Sequence, residues 1–299
     1  MKLGVVMDPI ESINFKKDST LAMMLEAQAR EHQLFYMTPN SLYLNERGAH
    51  ALATTITVKN DSSGWFEFNE ENQLKLSELD VILMRQDPPF NSNFIYNTYV
   101  LESAERDGVL VVNKPGSLRD CNEKVFATEF PECCTPFLVT SKASLLKSFI
   151  QDHKDTVIKP LDGMGGSSIF RLRNTDPNLN VILETITDSF MTKVMIQTYI
   201  PEITDGDKRI LLINGTPMNA AVARVPAEGE LRGNLAAGAS AVARSLTEKD
   251  LWICEQVGPK LKDLGLVLVG LDIIGDYLTE INVTSPTCFR EYESLCDIN

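Results

Sequence analysis

A stretch of three glycines between two short apolar runs places the tightest limit on what this chain can fold into. The first run, Val157-Ile158-Lys159, ends in a lysine and the second begins at Ile169-Phe170, so the segment predicts a β-hairpin with a tip of almost bare backbone. Because glycine lacks a Cβ and reaches positive φ, successive N–H groups of such a tip can point at one anion. Lys159 adds a positive charge, and the hydroxyls of Ser167 and Ser168 add donors. The segment therefore favours phosphate binding, and an ordinary flexible hairpin with a solvated lysine stays the alternative.

The composition indicates a globular protein and argues against several functional classes. The chain has 299 residues, a length that predicts about two domains or three small ones. A formal net charge of −13 argues against nucleic-acid binding, which needs clustered lysine and arginine. Six cysteines without a CxxC spacing, and an N-terminus without a signal-peptide pattern, predict free thiols and a cytoplasmic protein. No apolar run reaches membrane-spanning length, and three scattered histidines make His-based metal sites and catalytic triads unexpected.

The pattern over residues 1–121 predicts an α/β domain. Strands are predicted at 3–7, 34–37, 53–58, 65–66, 81–84 and 109–112, and helices at about 20–30 and 94–106. The strand at 81–84 carries Arg85 at its carboxyl end, where ligands of α/β proteins tend to bind. A surface ion pair is the alternative role for Arg85, and the one that the sequence alone favours.

Two α+β units are predicted to follow, at residues 122–200 and 201–299. The first contains the glycine hairpin, and its elements are predicted at 137–139, 141–152, 177–187 and 194–197, followed by a hinge at 198–201. In the second, strands are predicted at 207–213, 218–225, 267–274 and 277–283, and a helix from the Thr247 capping box to Gly265. The glycine-dotted segment 226–238 predicts an active-site lid, with a disordered surface connection as the alternative.

The last hairpin carries three oxygen-bearing side chains, Asp272, Glu280 and Asn282, which suit a hard cation such as Mg²⁺. Register decides whether all three share a face. A two-residue turn at Gly275-Asp276 would oppose Asp272 to Thr279, whereas a three-residue loop would oppose it to Glu280. The cation hypothesis therefore predicts an odd loop, with a nucleotide triphosphate beside the ion because Mg²⁺ usually takes only one or two carboxylates. Solvated surface charges are the alternative.

Eight segments spread over nearly the whole chain carry a further signal. They are Met7-Asp8-Pro9-Ile10, residues 82–90, Asn113-Lys114-Pro115, residues 159–166, Asp205-Gly206-Asp207-Lys208-Arg209, residues 232–238, Leu271-Asp272-Ile273-Ile274 and residues 279–287. In this order they resemble the ATP-grasp carboxylate-amine ligases and, within that superfamily, the bacterial glutathione synthetases. The resemblance implies an ATP-grasp fold behind an N-terminal α/β (pre-ATP-grasp) domain, with ATP held between two antiparallel sheets.

The resemblance also implies roles for individual residues. The implied ATP contacts are Lys124, Lys159, Gly163, Met164, Gly165, Gly166, Gln197, Tyr199, Ile200 and Lys208. The implied cation ligands are Asp272, Glu280 and Asn282, for two ions of Mg²⁺ or Mn²⁺. The implied catalytic residues are Arg209, on the transferring phosphoryl group, and Arg232. The implied contacts of γ-glutamylcysteine are Arg85, Arg224, Arg232, Asn234 and Ser285, with a lid over residues 225–240.

The activity implied by the resemblance is ATP-dependent ligation of γ-glutamylcysteine and glycine to glutathione, by a homotetramer without nucleic-acid or membrane partners. Two alternatives stay open. One is an ATP-grasp ligase for a different carboxylate and amine, because a few side chains fix substrate choice. The other is an ATP-binding protein with impaired turnover, because residues 239–244 depart from the family's lid and the chain stops at Asn299, where the family pattern continues into a further helix. The intact lysines and cation ligands argue against this second alternative.

Overall fold

Three β-sheets, each built from a separate part of the chain, form the framework of the protein. The computed structural model describes residues 1–163, 165–227, 229–230, 233 and 238–296. The sheets take their strands from residues 2–112, 137–198 and 207–282. The predicted domain boundaries after residues 121 and 200 fall between these sheets and stay a prediction.

The first sheet has an α/β arrangement, as predicted, but it has seven strands where the sequence predicted six, because the strand at Leu42–Asn45 was not expected. Its strands are β1 (Lys2–Met7), β2 (Gln33–Met37), β3 (Leu42–Asn45), β4 (Gly48–Val58), β5 (Phe66–Lys75), β6 (Val81–Arg85) and β7 (Leu110–Val112). The order is β3-β4-β2-β1-β6-β7 with β5 against β4, and β2, β1, β6 and β7 are parallel. Helices α1 (Ser19–Ala29) and α2 (Ser92–Arg106) begin at Asp18 and Asn91, whose side chains accept backbone N–H groups of the first turn. Helix α3 (Pro115–Asp120) follows β7.

The second and third sheets are antiparallel. The second has the order β10-β9-β11-β8 and contains β8 (Phe137–Thr140), β9 (Asp155–Pro160), β10 (Phe170–Arg173) and β11 (Val194–Thr198), with helices α4 (Ala143–His153) and α5 (Leu179–Ile186). The third has the order β15-β14-β12-β16-β17 and contains β12 (Asp207–Ile213), β13 (Thr216–Pro217), β14 (Ala220–Val225), β15 (Ser240–Ser245), β16 (Leu268–Ile274) and β17 (Tyr277–Asn282). Helices α6 (Glu248–Asp263) and α7 (Phe289–Cys296) complete it. The glycine hairpin is therefore the β9–β10 hairpin, as predicted.

Three predictions of local structure need correction. The strand predicted at 65–66 extends to Lys75, because the polar residues of β5 pair along most of β4 and need no apolar pattern. The helix predicted from Pro177 begins at Leu179. The strand predicted at 218–225 is split into β13 and β14. The capping box at Thr247 is confirmed, with Asp250 as its reciprocal partner.

The hydrophobic core joins the first and third sheets and leaves the second with a core of its own. One cluster of buried side chains contains residues of the first sheet, such as Met84, and residues of the third, such as Leu271. A separate cluster contains Leu146, Ile158 and Ile196 of the second sheet and its helix. None of the helices in the described ranges is long and apolar enough to cross a membrane.

Candidate active site

A cavity of about 640 Å³ lies between the second and third sheets. Its size falls within the range of about 300–1,000 Å³ that is usual for small-molecule sites. Its walls come from the β9–β10 hairpin, the segment after β11, the third sheet, and the loops around residues 87–88 and 284–288. Several charged side chains face this cavity, among them Lys124, Lys159, Arg209, Asp272 and Glu280.

The glycine hairpin forms one wall with its backbone. Gly165 and Gly166 have φ values of +65° and +76°, in the left-handed region that other residues enter at a cost. A Cβ on Gly163 would lie 2.7 Å from the ring of Pro160, so this position also requires glycine. The Gly163 carbonyl accepts a hydrogen bond of 2.8 Å from Nζ of Lys124. Met164 lies outside the described residues.

Two buried lysines and one carboxylate meet beneath the hairpin. Nζ of Lys124 lies 3.6 Å and Nζ of Lys159 lies 3.7 Å from Oε1 of Glu280. Burial lowers the pKa of Lys159, and Glu280 opposes that shift. Burial alone would also lower the pKa of Lys124, but Glu280 and Glu123 raise it above its ordinary value. Lys124 also pairs with Glu123, so two carboxylates face the two lysines. Each ammonium group carries three N–H donors, and those that the carboxylates leave free can bind the oxygens of a phosphate chain.

An ion-pair network of two arginines and two aspartates lies next to the lysines in the third sheet. Arg209 grips Asp272 with Nε at 2.5 Å and a terminal nitrogen at 3.0 Å, and Arg224 lies 2.9 Å from the same carboxylate. Arg224 also pairs with Asp207. Burial alone would raise the pKa of Asp272, but the two arginines hold it at about 2. Gly270 makes room for Arg209, because a Cβ at this position would lie 2.9 Å from its side chain.

The final hairpin brings Asp272 opposite Glu280, as the cation hypothesis requires, but not by the predicted route. The turn has only the two residues between Ile274 and Tyr277, so the expected three-residue loop is wrong. A β-bulge at Thr279 supplies the odd residue instead. The Thr279 hydroxyl donates to the Asp272 carbonyl at 3.0 Å, and its own carbonyl accepts from Lys159 at 3.2 Å.

The side chains that face the cavity from this hairpin offer oxygen atoms to a cation. Asp272, Glu280 and Asn282 all line the cavity. The amide nitrogen of Asn282 donates to Asp272 at 3.2 Å, which leaves its amide oxygen for another partner. In the part of the chain that the structure describes, no group of three or more His, Cys, Asp and Glu residues could hold a metal ion. The two carboxylates and one amide oxygen are of the type that a hard cation such as Mg²⁺ accepts, usually with only one or two carboxylates.

The segment after β11 forms the opposite end of the cavity. Gln197, Tyr199 and Ile200 all line it, as the hinge prediction requires. The Tyr199 N–H donates to the Asp155 carbonyl at 3.0 Å, which ties this segment to the start of β9. The apolar side chains of Val157 and Phe170 stand nearby on the cavity wall. A flat aromatic base is the kind of group that such a slot accommodates.

The structure does not bring every predicted residue to the cavity. Lys208 lies on the other face of β12, because side chains alternate along a strand, and it forms an ion pair with Asp250 of α6. Ser285 lines the cavity and donates to Asp87 at 2.6 Å. Arg232, Asn234 and five further residues of the predicted lid lie outside the described residues. Of that segment, Gly229, Glu230 and Gly233 border the cavity.

Arg85 is not the surface ion-pair residue that the sequence alone favours. It is only 5 % exposed, and burial lowers its pKa to about 10. Its guanidinium donates to the Thr20 hydroxyl at 3.1 Å and to the Pro286 carbonyl at 2.9 Å. One terminal nitrogen has no partner among the described residues. Arg85 therefore supports the loop of Pro286, which lines the cavity, and direct ligand contact stays a prediction.

Sequence reasoning missed several charged residues that line the cavity. They are Asp87, Glu123, Arg171 and Asp207. A signal existed for Asp207, because it is two residues before Arg209 and so shares its face of β12. Burial raises the pKa of Asp207 to about 7 although Arg224 pairs with it. For Asp87, Glu123 and Arg171 the sequence offers no comparable periodic signal.

Comparison with known proteins agrees with this geometry. Residues 1–119 match the family model of the prokaryotic glutathione synthetase N-terminal domain, and residues 123–297 match that of the prokaryotic glutathione synthetase ATP-grasp domain. The chain belongs to the prokaryotic glutathione synthetase family. A glutathione synthetase of Pseudomonas putida is 59 % identical over 98 % of this chain and 93 % of its own length. One from Escherichia coli is 55 % identical over 98 % of this chain and 93 % of its own.

Solved structures confirm the ATP-grasp fold that membership in the glutathione synthetase family implies. The D-cycloserine synthetase DcsG superposes with a TM-score of 0.64 over 95 % of this chain and 92 % of its own, at 12 % identity. The ATP-grasp ligase PsnB, in complex with a minimal precursor, gives a TM-score of 0.64 over 100 % of this chain and 95 % of its own, at 17 % identity. At these identities the likeness concerns the fold alone. The predicted fold class, an ATP-grasp fold with an N-terminal α/β domain, is confirmed.

Proposed function

We propose that this chain, an ATP-dependent ligase of the glutathione synthetase family, joins γ-glutamylcysteine to glycine and forms glutathione, ADP and phosphate. The observation that carries the proposal is the meeting of two buried lysines and an arginine–aspartate network in one cavity between two antiparallel sheets. A site of this kind can hold a triphosphate and a carboxylate together, because every negative group has a cation within reach.

The chemistry needs two steps. A carboxylate is a poor electrophile at neutral pH, so its oxygen first attacks the γ-phosphorus of ATP, which breaks the bond to ADP and forms an acyl phosphate. The amine of glycine then attacks the carbonyl carbon, the C–N bond forms, phosphate leaves, and the amine loses a proton to solvent or base. The first step transfers an anionic phosphoryl group to the substrate, and Arg209 and Arg224, which line the cavity, would stabilise its charge.

Each part of the cavity receives a role in this proposal. Lys124 and Lys159 bind phosphate oxygens, and the backbone of Gly163, Gly165 and Gly166 covers them. The segment Gln197, Tyr199 and Ile200 receives the adenine. Ser285, with Arg85 behind it, positions γ-glutamylcysteine, and Arg224 binds near its reacting carboxylate.

Proteins of this superfamily use ATP together with divalent metal ions, and we assign the cation to Asp272, Glu280 and Asn282. When bound, the cation would neutralise phosphate oxygens and so favour phosphoryl transfer. Oxygen ligands suit Mg²⁺ or Mn²⁺, and we propose two ions. We further propose a cytoplasmic homotetramer with domains 1–121, 122–200 and 201–299.

Release of ADP tests the proposed function. The purified chain is assayed with ATP and Mg²⁺ in the presence of γ-glutamylcysteine and glycine, and then with either of them omitted. We expect ADP release to require both substrates and glutathione to appear in equal amount by mass spectrometry. Release with a different acid and amine would identify another ATP-grasp ligase, and nucleotide binding without turnover would identify an impaired enzyme.

A further inference from the structure

A cluster of three side chains stands behind the hinge end of the cavity. The guanidinium of Arg171 lies over the ring of Tyr199, with its central carbon 3.6 Å from the ring centroid. The same guanidinium donates to both carboxylate oxygens of Asp155, at 2.7 and 2.6 Å. Such a two-point ion pair fixes the plane of an arginine, and a fixed plane can hold an aromatic ring parallel to it.

Asp155 holds Tyr199 in a second way. Its backbone carbonyl accepts the Tyr199 N–H at 3.0 Å, while its side chain holds the arginine that covers the Tyr199 ring. The hydrogen bond from Arg171, helped by the one from Arg173, lowers the pKa of Asp155 to about 2 although burial opposes the shift, so the carboxylate is ionised at neutral pH. Main chain and ring of Tyr199 are thus both fixed from β9 and β10.

The backbone N–H of Ile200, the residue after Tyr199, can donate a hydrogen bond to a nucleotide base. Ile200 lines the cavity and is 8 % exposed. Among the described residues, its backbone N–H has no hydrogen-bond acceptor. A donor of this kind suits N1 of adenine, which is an acceptor, and opposes N1 of guanine, which carries a hydrogen.

We propose that Arg171 is a positioning residue of the nucleotide site, which stacks on Tyr199 and so holds the Ile200 N–H where it selects adenine over guanine. The inference rests on the proposed function only in taking ATP as the nucleotide. It assigns Arg171 no contact with the reacting atoms. The stack of Arg171 on Tyr199 orients the segment after β11, and the Ile200 N–H of that segment contacts the base.

The chain supplies a matched control in Arg173. This arginine donates to the same Asp155 carboxylate, at 3.1 and 2.9 Å, from the same strand β10. Unlike Arg171, it is not among the residues that line the cavity, and its side chain is 58 % exposed. Both arginines carry the same charge and bind the same carboxylate, but of the two only Arg171 stacks on Tyr199 and lines the cavity.

Calorimetric titration with ATP and with GTP, in Mg²⁺ buffer without γ-glutamylcysteine or glycine, tests the proposal. For Arg171→Ala and Arg171→Lys we expect ATP to bind about tenfold more weakly, which corresponds to the loss of one partly desolvated cation–π contact. We expect GTP to lose less, so that the preference for ATP falls. Arg173→Ala should bind both nucleotides like the unaltered chain. In the complete assay the KM for ATP should rise while kcat changes less than about twofold, as expected when only ground-state binding is lost.

A second variant covers the case in which Arg171→Ala does not fold. Tyr199→Leu removes the other half of the stack, and its loss should not add to that of Arg171→Lys in the double variant, because both remove one interaction. Three results would overturn the proposal: unchanged ATP affinity and base preference in Arg171→Ala, full affinity in Arg171→Lys, or an equal loss in Arg173→Ala. Because these titrations need no turnover, they remain informative even if glutathione is not the product.

Discussion

At the scale of single residues, Asp272 connects the stability of the third sheet to the chemistry of the cavity. Its carboxylate faces the cavity and pairs with Arg209 and Arg224, both of which are buried. A buried ion pair adds little stability compared with apolar packing, but removal of one partner leaves charges without compensation. The sheet therefore depends on a side chain that we also assign to the cation.

Asp272→Asn should lower the free energy of unfolding by about 3–5 kcal/mol at pH 7, because two buried arginines lose their common partner. In the folded chain the pKa of Asp272 is about 2, below its ordinary value of 3.8. Its contribution is therefore complete above pH 3.8 and is lost as the pH falls toward 2. Urea unfolding of both chains at pH 7, 4 and 3 would check this. The difference in the free energy of unfolding between the unaltered chain and the variant should become smaller below pH 4. Asp152→Asn, on the exposed surface of α4, should change stability by less than about 0.5 kcal/mol at pH 7.

Glu280→Gln tests the cation site without a change of shape. Glu280 lies 3.6 and 3.7 Å from the nitrogens of Lys124 and Lys159, whereas Arg209 binds Asp272 at 2.5 and 3.0 Å, so the variant should fold and lose less stability than Asp272→Asn. Turnover with saturating Mg²⁺ should fall by about 100-fold or more, the loss typical when a charge-stabilising group is removed. Steady-state ADP release measures it, and Glu255→Gln on exposed α6 serves as the control. Unchanged turnover would remove Glu280 from the site.

At the scale of elements, hydrophobic periodicity predicts most helices and strands, but it does not reveal irregular pairing. Side chains alternate between the two faces of a strand, so the sequence of β12 alone predicts that Lys208 faces away from Asp207 and Arg209. The family resemblance nevertheless implied that Lys208 contacts the nucleotide. The bulge at Thr279 has no such signal, because one extra residue inside a strand leaves the apolar pattern on either side intact. Turn length alone would therefore oppose Asp272 to Thr279. The cation hypothesis predicted the correct partner, Glu280, but through a three-residue loop that the structure does not have.

One hydroxyl of helix α7, that of Tyr292, links two strands of the third sheet. The Tyr292 oxygen lies 3.0 Å from the Arg209 carbonyl and 2.9 Å from the Ala220 carbonyl, and accepts the Leu211 N–H at 3.2 Å. Backbone pairing of β12 with β14 covers only residues 207–209 and 222–224, so the hydroxyl bridges the two strands just beyond their paired part. The same β12 carbonyl belongs to the arginine that grips Asp272.

Tyr292→Phe should lower the free energy of unfolding by about 1–3 kcal/mol, because buried backbone groups of both strands lose their partner. Chemical denaturation at pH 7 measures the change. Tyr96→Phe is a suitable control, since Tyr96 is 60 % exposed on α2. Equal stability of the two variants would show that the bridge contributes nothing.

At the scale of the whole molecule, the first domain and the third sheet are joined by contacts that no local pattern predicts. The Asn113 side chain donates to the Leu268 and Val283 carbonyls at 2.7 and 2.6 Å and accepts the Leu268 N–H at 2.8 Å. These partners lie more than 150 residues away along the chain. Sequence periodicity predicts the separate units well, whereas the cavity depends on how the units meet. Only the family resemblance, to which Asn113-Lys114-Pro115 contributes, indicated that residues so far apart in the chain belong to one fold.

This packing should also protect the cysteines, which the sequence analysis expected to be free. All six are free thiols, and five are buried. Burial raises the pKa of Cys121 and Cys133 to about 11 and of Cys134 and Cys254 to about 12, so little reactive thiolate forms at pH 8. Brief treatment of the native chain with iodoacetamide should therefore label Cys296, the partly exposed thiol, ahead of the others, as peptide mass spectrometry can measure. Cys296→Ser should remove most native-state labelling, whereas unfolding in urea should expose all the remaining thiols. Rapid native labelling of Cys134 or Cys254 would mean that the core around them opens far more readily than its packing implies.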